Sequence, residues 1–165
     1  MDRGERERKR EVDWYEEVFQ FREEWRQRAA QGKKFLRGEE VPFQQSRQSL
    51  SQWYLLPFKE DTAAQQWAVF TQEIKTKSGK HKHQGGVAIY ILEGKGYSVV
   101  DGKRFDWEKG DMLLLPVQPG GCEHQHFNTD PDKPSKWLAL RYMPTTDVLG
   151  NQHEQVENHP DFFKK

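Results

Sequence analysis

The sequence predicts an all-β protein, a jelly-roll barrel preceded by a helical N-terminal arm. Three observations predict it. Short aromatic and apolar runs recur between Gln52 and Met143, divided by Gly-, Asp- and Pro-containing turns at intervals of roughly eight to twelve residues. One of these turns, Asp101-Gly102, is a tight-hairpin signal, because Gly accepts positive φ there. A helical period appears near the N-terminus, where Trp14, Val18, Phe21 and Trp25 mark one face.

Residues 1–11 are almost all charged, with acid and base alternating, and are expected to form a solvated tail rather than a basic stripe. A helix is expected over 13–30: Asp13 can cap it, Glu16 completes a capping-box-like pattern, and Gly32 stops it. Its apolar stripe is expected to pack on the barrel or on a second subunit. Residues 32–50, with Pro42 and several Gln and Ser, read as irregular. Strands are expected at 53–58 and 66–74, followed by a Ser78-Gly79 turn. The run 87–92 is nearly all apolar, as in a strand buried on both faces, and Glu93-Gly94-Lys95-Gly96 breaks it. Strands at 97–100 and 103–107 flank the hairpin turn, and Lys109-Gly110-Asp111 turns again into 112–115. A loop at 116–121 leads to strands at 122–128 and 136–143. The chain thus divides into a charged tail, helical arm and linker (1–50), a barrel (51–144) and an unpatterned C-terminal tail (145–165).

Composition narrows the class. Hydrophobic residues are 34% and charged residues 32%, yet ten Phe, six Trp and five Tyr are too many for a disordered chain. Lys and Arg number 26, as do Asp and Glu, so nothing points to nucleic acid or an anionic membrane. No apolar run reaches the roughly 18 residues of a membrane helix. The charged N-terminus lacks a signal-peptide core, and the single cysteine, Cys122, cannot form an intramolecular disulfide. A cytoplasmic protein is the expectation.

Four of the six histidines form two His-x-His pairs, His81 with His83 and His124 with His126. On a strand, residues two apart face the same way, so each pair projects two imidazoles from one face. One such pair in a polar stretch is ordinarily a surface feature. Two pairs separated by an apolar, hairpin-rich stretch point instead to convergence across a barrel and to a metal, since neutral imidazole binds Fe(II), Zn(II), Ni(II) and Cu(II). His153 and His159, in the tail, are expected to be exposed. Cys122 shares the parity of His124 and is expected to be buried and inert. Trp53, Trp67, Phe70, Tyr90 and Trp107 are expected in the core, with one or two reaching a cavity.

Gly79-Lys80-His81-Lys82-His83 followed by Leu92-Glu93-Gly94-Lys95-Gly96 resembles the first cupin motif. Gly110-Asp111, Pro119-Gly120-Gly121 and His124-Gln125-His126-Phe127-Asn128 resemble the second. The likeness spans about residues 65–143 and implies a single-domain cupin, a double-stranded β-helix barrel. It implies that His81, His83 and His124 are metal ligands. The family's usual fourth ligand, a Glu, falls at Val87 or Ala88, neither of which can bind a metal. Three-histidine cupins are often Fe(II) dioxygenases, and the second motif is similar to that of gentisate and salicylate ring-cleaving enzymes.

The resemblance therefore implies one divalent metal, Fe(II) first, with Zn(II), Ni(II) or Mn(II) as alternatives. Its implied substrates are O2 and a small aromatic or diketone compound whose C–C bond is cleaved. By the same resemblance His126 is a base or hydrogen-bonding group beside the substrate. Asn128, Tyr90, Arg104 and Arg141 are candidates for binding or orienting it. The 87–92 strand lacks the cation that gentisate-type enzymes usually carry there, which points to a less charged substrate. A metal-dependent lyase or isomerase and a non-catalytic ligand-binding cupin are the alternatives. A homodimer is expected.

Overall fold

The computed structural model describes residues 13–56, 62–144 and 153–162. The charged run 1–11 and residues 145–152 of the expected tail lie outside them. Helix α1 (Trp14–Gln31) starts at its expected cap, the Asp13 carboxylate accepting from the Tyr15 amide at 2.9 Å. Glu16 and Glu17 place negative charge in the first turn, and the Gly32 amide closes the last turn on the Arg28 carbonyl. No residue of α1 is buried; Trp14 is 55% exposed and Phe21 59%. The stripe is thus not packed into the barrel, contrary to one expected docking place.

Two antiparallel sheets build the barrel. The first has the order β1 (Phe43–Gln45), β2 (Leu50–Leu55), β3 (Trp67–Ile74), β10 (Ser135–Tyr142), β5 (Val87–Glu93), β8 (Met112–Leu115). The second has the order β11 (Glu154–Glu157), β4 (Lys80–His83), β9 (Cys122–Asn128), β6 (Lys95–Val100), β7 (Lys103–Glu108). The β6–β7 hairpin turns on Asp101 and Gly102, with φ 47° and 78°, the paired positive values a two-residue turn demands.

The core lies between the sheets, where Ile74, Val87, Ile89, Ile91, Val100, Leu115, Trp137 and Ala139 meet. In β5, burial alternates: Val87, Ile89 and Ile91 point inward, while Ala88, Tyr90 and Leu92 lie half-buried on the outer face. The expected burial on both faces is corrected, because the outer face is only partly covered.

Two strands arise where no pattern was expected. β1 is wholly exposed and takes its form from pairing with β2, Phe43 facing Gln52 and Gln45 facing Leu50. β11, in the expected unpatterned tail, pairs with β4, Glu154 facing Lys82 and Gln155 facing His81. Neither has the apolar alternation that announces a strand; each is an edge whose backbone bonds come from its neighbour. The arm is also held by the Lys77–Glu157 ion pair and by Gln48 Nε2 donating to Gln155 Oε1 at 2.5 Å. His159, expected to be exposed, is 4% exposed. Its backbone amide donates to the Arg47 carbonyl at 2.7 Å, and its ring Nδ1 accepts the Asp161 amide at 3.0 Å and lies 3.3 Å from Gln45 Nε2, so hydrogen bonds hold the ring inward.

Candidate metal centre

β4 and β9 are neighbours, and their register sets His81 directly opposite His124, with His83 opposite Cys122. Two-residue alternation then turns His81, His83 and His124 to the inner face. All three are buried, and one ligating nitrogen from each lies within 4.8 Å of the others. Ring centroids stand 4.1 Å apart for His81–His124, 4.8 Å for His83–His124 and 5.2 Å for His81–His83.

The protonation states suit a cation. Burial, reinforced for His81 and His83 by the neighbouring imidazoles, holds all three below the ordinary histidine range, His83 down to about 2 and His124 to about 4. The rings are therefore neutral at pH 7, with lone pairs to offer. His124 Nδ1 stands 3.0 Å from the Cys122 carbonyl, which can only accept, so the proton sits on Nδ1 and Nε2 keeps its lone pair. His81 Nδ1 is buried with no hydrogen-bond partner among the described residues, an orphaned atom of the kind a ligand would satisfy. His83 differs: its Nδ1 accepts the Gly85 amide at 3.0 Å, which puts the neutral ring's proton on Nε2. A cation at that nitrogen requires this hydrogen bond to give way. Three neutral nitrogens in one buried cluster fit a divalent metal, with no carboxylate in the group.

His126 occupies the next inward position of β9 and is 2% exposed. It faces Ser98 across the β6–β9 ladder, and Ser98 Oγ lies 2.7 Å from its Nδ1. Trp107 Nε1 donates to the same oxygen at 2.9 Å. Trp137 packs edge-on against the His126 ring at 5.0 Å.

A cavity of about 230 Å³ opens over these rings. Trp53, Phe70, Val87, Ile89 and Trp137 form its apolar wall; Gln72, Arg141 and His153 add polar groups. Of the residues expected near a substrate, His126 and Arg141 line it. Tyr90 lies on the outer face of β5. Arg104 is on the surface, paired with Asp106 at 2.6 Å and stacked over Tyr97. The Asn128 amide nitrogen sits 2.8–2.9 Å from the carbonyls of Lys75, Asp130 and Lys133, so it ties down the 129–133 loop. These three do not line the cavity. Among the expected aromatics, Trp53 and Phe70 reach it, Trp67 is 39% exposed, and Trp107 serves from behind through Ser98.

Sequence reasoning missed Trp137, Gln72 and the place of His153 beside the cavity, although His153 is exposed as expected. Trp137 and Gln72 alternate correctly for an inner face, but so do many core residues. Their Nε1 and Oε1 are buried without partners among the described residues. Cys122 behaves as expected: it is fully buried, and burial first, then Asp101, pushes its thiol up to about 11. A larger hollow of about 500 Å³ lies away from the histidines, where Lys33, Lys34 and Leu36 cover Val69 and Leu138.

Two facing antiparallel sheets, with a buried histidine trio on one inner face that could hold a metal ion, have the architecture of a cupin-type barrel. Residues 68–141 match the cupin domain family. It is similar to a gentisate 1,2-dioxygenase from a Ralstonia species, 30% identical over 84 residues, which is 47% of this chain and 22% of that one. It is also similar to an acireductone dioxygenase from Aspergillus fumigatus, 29% identical over 102 residues, covering 53% and 54%. The salicylate 1,2-dioxygenase of Pseudoaminobacter salicylatoxidans in its gentisate adduct shares the fold, with TM-score 0.55 and 20% identity over 74% of this chain and 34% of that one. The chain thus spans about a fifth of the first relative and about half of the second.

Proposed function

We propose that this cupin is an Fe(II)-dependent dioxygenase that cleaves a C–C bond of a small aromatic or diketone substrate. The observation that carries the reading is the buried trio of neutral imidazoles, without a carboxylate, at the floor of a largely apolar cavity. His81, His83 and His124 hold the metal. When bound, Fe(II) supplies the redox chemistry with O2 and the Lewis acidity that a closed-shell organic substrate lacks. Because the ligands are neutral, the full positive charge of the ion is left for an anionic, two-oxygen substrate.

The remaining residues bind and orient. At about 230 Å³ the cavity is smaller than the roughly 300–1,000 Å³ of a drug-sized site, which selects single-ring or short-chain compounds. Trp53, Phe70, Trp137 and Ile89 grip an apolar body and keep water out. Arg141 offers the cation absent from β5, on the neighbouring strand β10. His126, oriented by Ser98, gives the substrate a hydrogen bond and assists proton movement. The protein is proposed to work in the cytoplasm as a homodimer, with the exposed aromatic stripe of α1 available for contact between subunits.

The test is metal analysis of protein purified without a histidine tag, followed by O2-uptake assays with catechols, gentisate-like acids and diketones. About one iron per chain, lost in His81→Ala, together with O2 consumption matched to substrate loss, supports the reading. Turnover without O2 uptake would move the reaction to lyase or isomerase chemistry. Ligand binding without any turnover would make the chain a binding protein.

A further inference from the structure

Among the described residues, His153 is an imidazole lining the cavity that the three-histidine reading does not use. We infer that His153, on the C-terminal arm, is a fourth imidazole ligand of the metal; this rests on the reading of His81, His83 and His124 as its ligands. The register of β11 against β4 supplies the first argument. Gln155 faces His81 and Glu154 faces Lys82, so the ladder continued by one residue sets His153 opposite His83. Residues opposite each other share a sheet face, so His153 is turned toward the trio. Ring spacing supplies the second. The His153 centroid lies 5.3 Å from His81 and 5.7 Å from His83, against 4.1–5.2 Å within the trio. With metal–nitrogen bonds of about 2.0–2.1 Å, imidazoles sharing one ion have centroids roughly 4 to 6 Å apart. Both His153 distances fall in that range, and His153 lines the same cavity; among the described residues the ligand atoms within 4.8 Å of one another belong to the trio alone, and the His153 ring lies parallel to that of His81, within 4°, so it must rotate to aim a nitrogen at an ion shared with the trio.

The arm is built to hold this position. The Gln48–Gln155 hydrogen bond, the Lys77–Glu157 ion pair and the buried His159 fix it at positions two, four and six residues beyond His153. With His153 bound, an octahedral ion keeps two open positions; with it displaced, three. A strand outside the matched stretch 68–141 would thus set how many places substrate and O2 can take.

The test uses the full chain, stripped of metal and reloaded with one equivalent of Cu(II) for pulsed EPR, with Co(II) affinity measured by chelator competition. Four imidazole nitrogens are expected in the wild type and three in His153→Ala. Co(II) affinity in the variant should fall roughly 10- to 100-fold, the range seen when supporting groups of metal sites are removed. Free imidazole should restore the fourth nitrogen, which separates loss of a ligand from detachment of the arm. An equal nitrogen count and affinity in the two proteins would overturn the role of His153 and leave the trio standing. Failure of the wild type to bind either ion would overturn both.

Discussion

Ser98 Oγ sits 2.7 Å from His126 Nδ1 while accepting the indole N–H of Trp107 at 2.9 Å. Ser98 is fully buried, and its hydroxyl has one proton to give. Donating that proton to His126 satisfies all three groups and leaves the imidazole's own proton on Nε2. In this tautomer His126 is a hydrogen-bond donor to the cavity rather than a base. Ser98→Ala should therefore leave two buried polar atoms unpaired and cost roughly 1–3 kcal/mol of stability, read by urea denaturation. Metal content should be unchanged while turnover falls. Full activity in Ser98→Ala would end the positioning role.

The trio and His126 should separate in function. His83→Ala is expected to abolish tight metal binding, because it removes one of three ligands. His126→Ala should keep about one metal per chain and slow turnover. Metal analysis of both variants, with circular dichroism to confirm folding, decides the matter. Loss of metal from a folded His126→Ala protein would mean the roles are misassigned.

The buried histidines predict acid sensitivity of the metal-free protein. Their folded values lie below the unfolded value of about 6.5, so below that pH the unfolded chain binds protons that the folded chain refuses. Their contribution is intact above about pH 6.5 and is lost as pH falls toward about 4 for His124 and about 2 for His83. Each such group can cost up to about 1.4 kcal/mol per pH unit in that window. The Tm of metal-free protein should drop steeply between pH 7 and pH 5. A flat Tm across that range would contradict the buried, neutral cluster.

Gly85 orients His83 through its amide and has a φ of 79°. A Cβ there would stand 1.7 Å from the Pro116 carbonyl oxygen, a rigid backbone atom. Gly85→Ala should destabilise the fold by several kcal/mol, in the range reserved for steric and backbone strain, about 3 kcal/mol or more. In the wild type, metal loading through His83 Nε2 must disturb the Gly85 hydrogen bond. The Gly85 amide resonance should therefore shift when a diamagnetic ion such as Zn(II) is added. An unmoved Gly85 signal in zinc-loaded protein would exclude that ligating atom.

Among the described residues that line the cavity, Arg141 is the one that carries a fixed positive charge. If the substrate is an anion, Arg141→Met should raise KM by roughly tenfold or more with a smaller effect on kcat, since a charge-assisted hydrogen bond is lost from binding. Steady-state kinetics with a charged and an uncharged substrate analogue would show whether the loss follows the charge.

The amino-acid sequence by itself determined the barrel strands, the β6–β7 hairpin and the two His-x-His pairs. These follow from local rules: alternation with period two, a positive-φ turn at Asp101-Gly102, and a capping Asp13 at the helix start. Local rules do not say which strands lie side by side. Only the tertiary structure put His81 opposite His124, drew Ser98 and Trp107 behind His126, and carried Asn128, Tyr90 and Arg104 away from the cavity. Only it found β1 and β11, edge strands whose form comes from a neighbour's backbone rather than from their own side chains. His153 is the clearest case. Nothing in the residues around it places it beside the cavity, because it precedes β11, whose pairing with β4, a segment roughly seventy residues away in the chain, is decided in three dimensions.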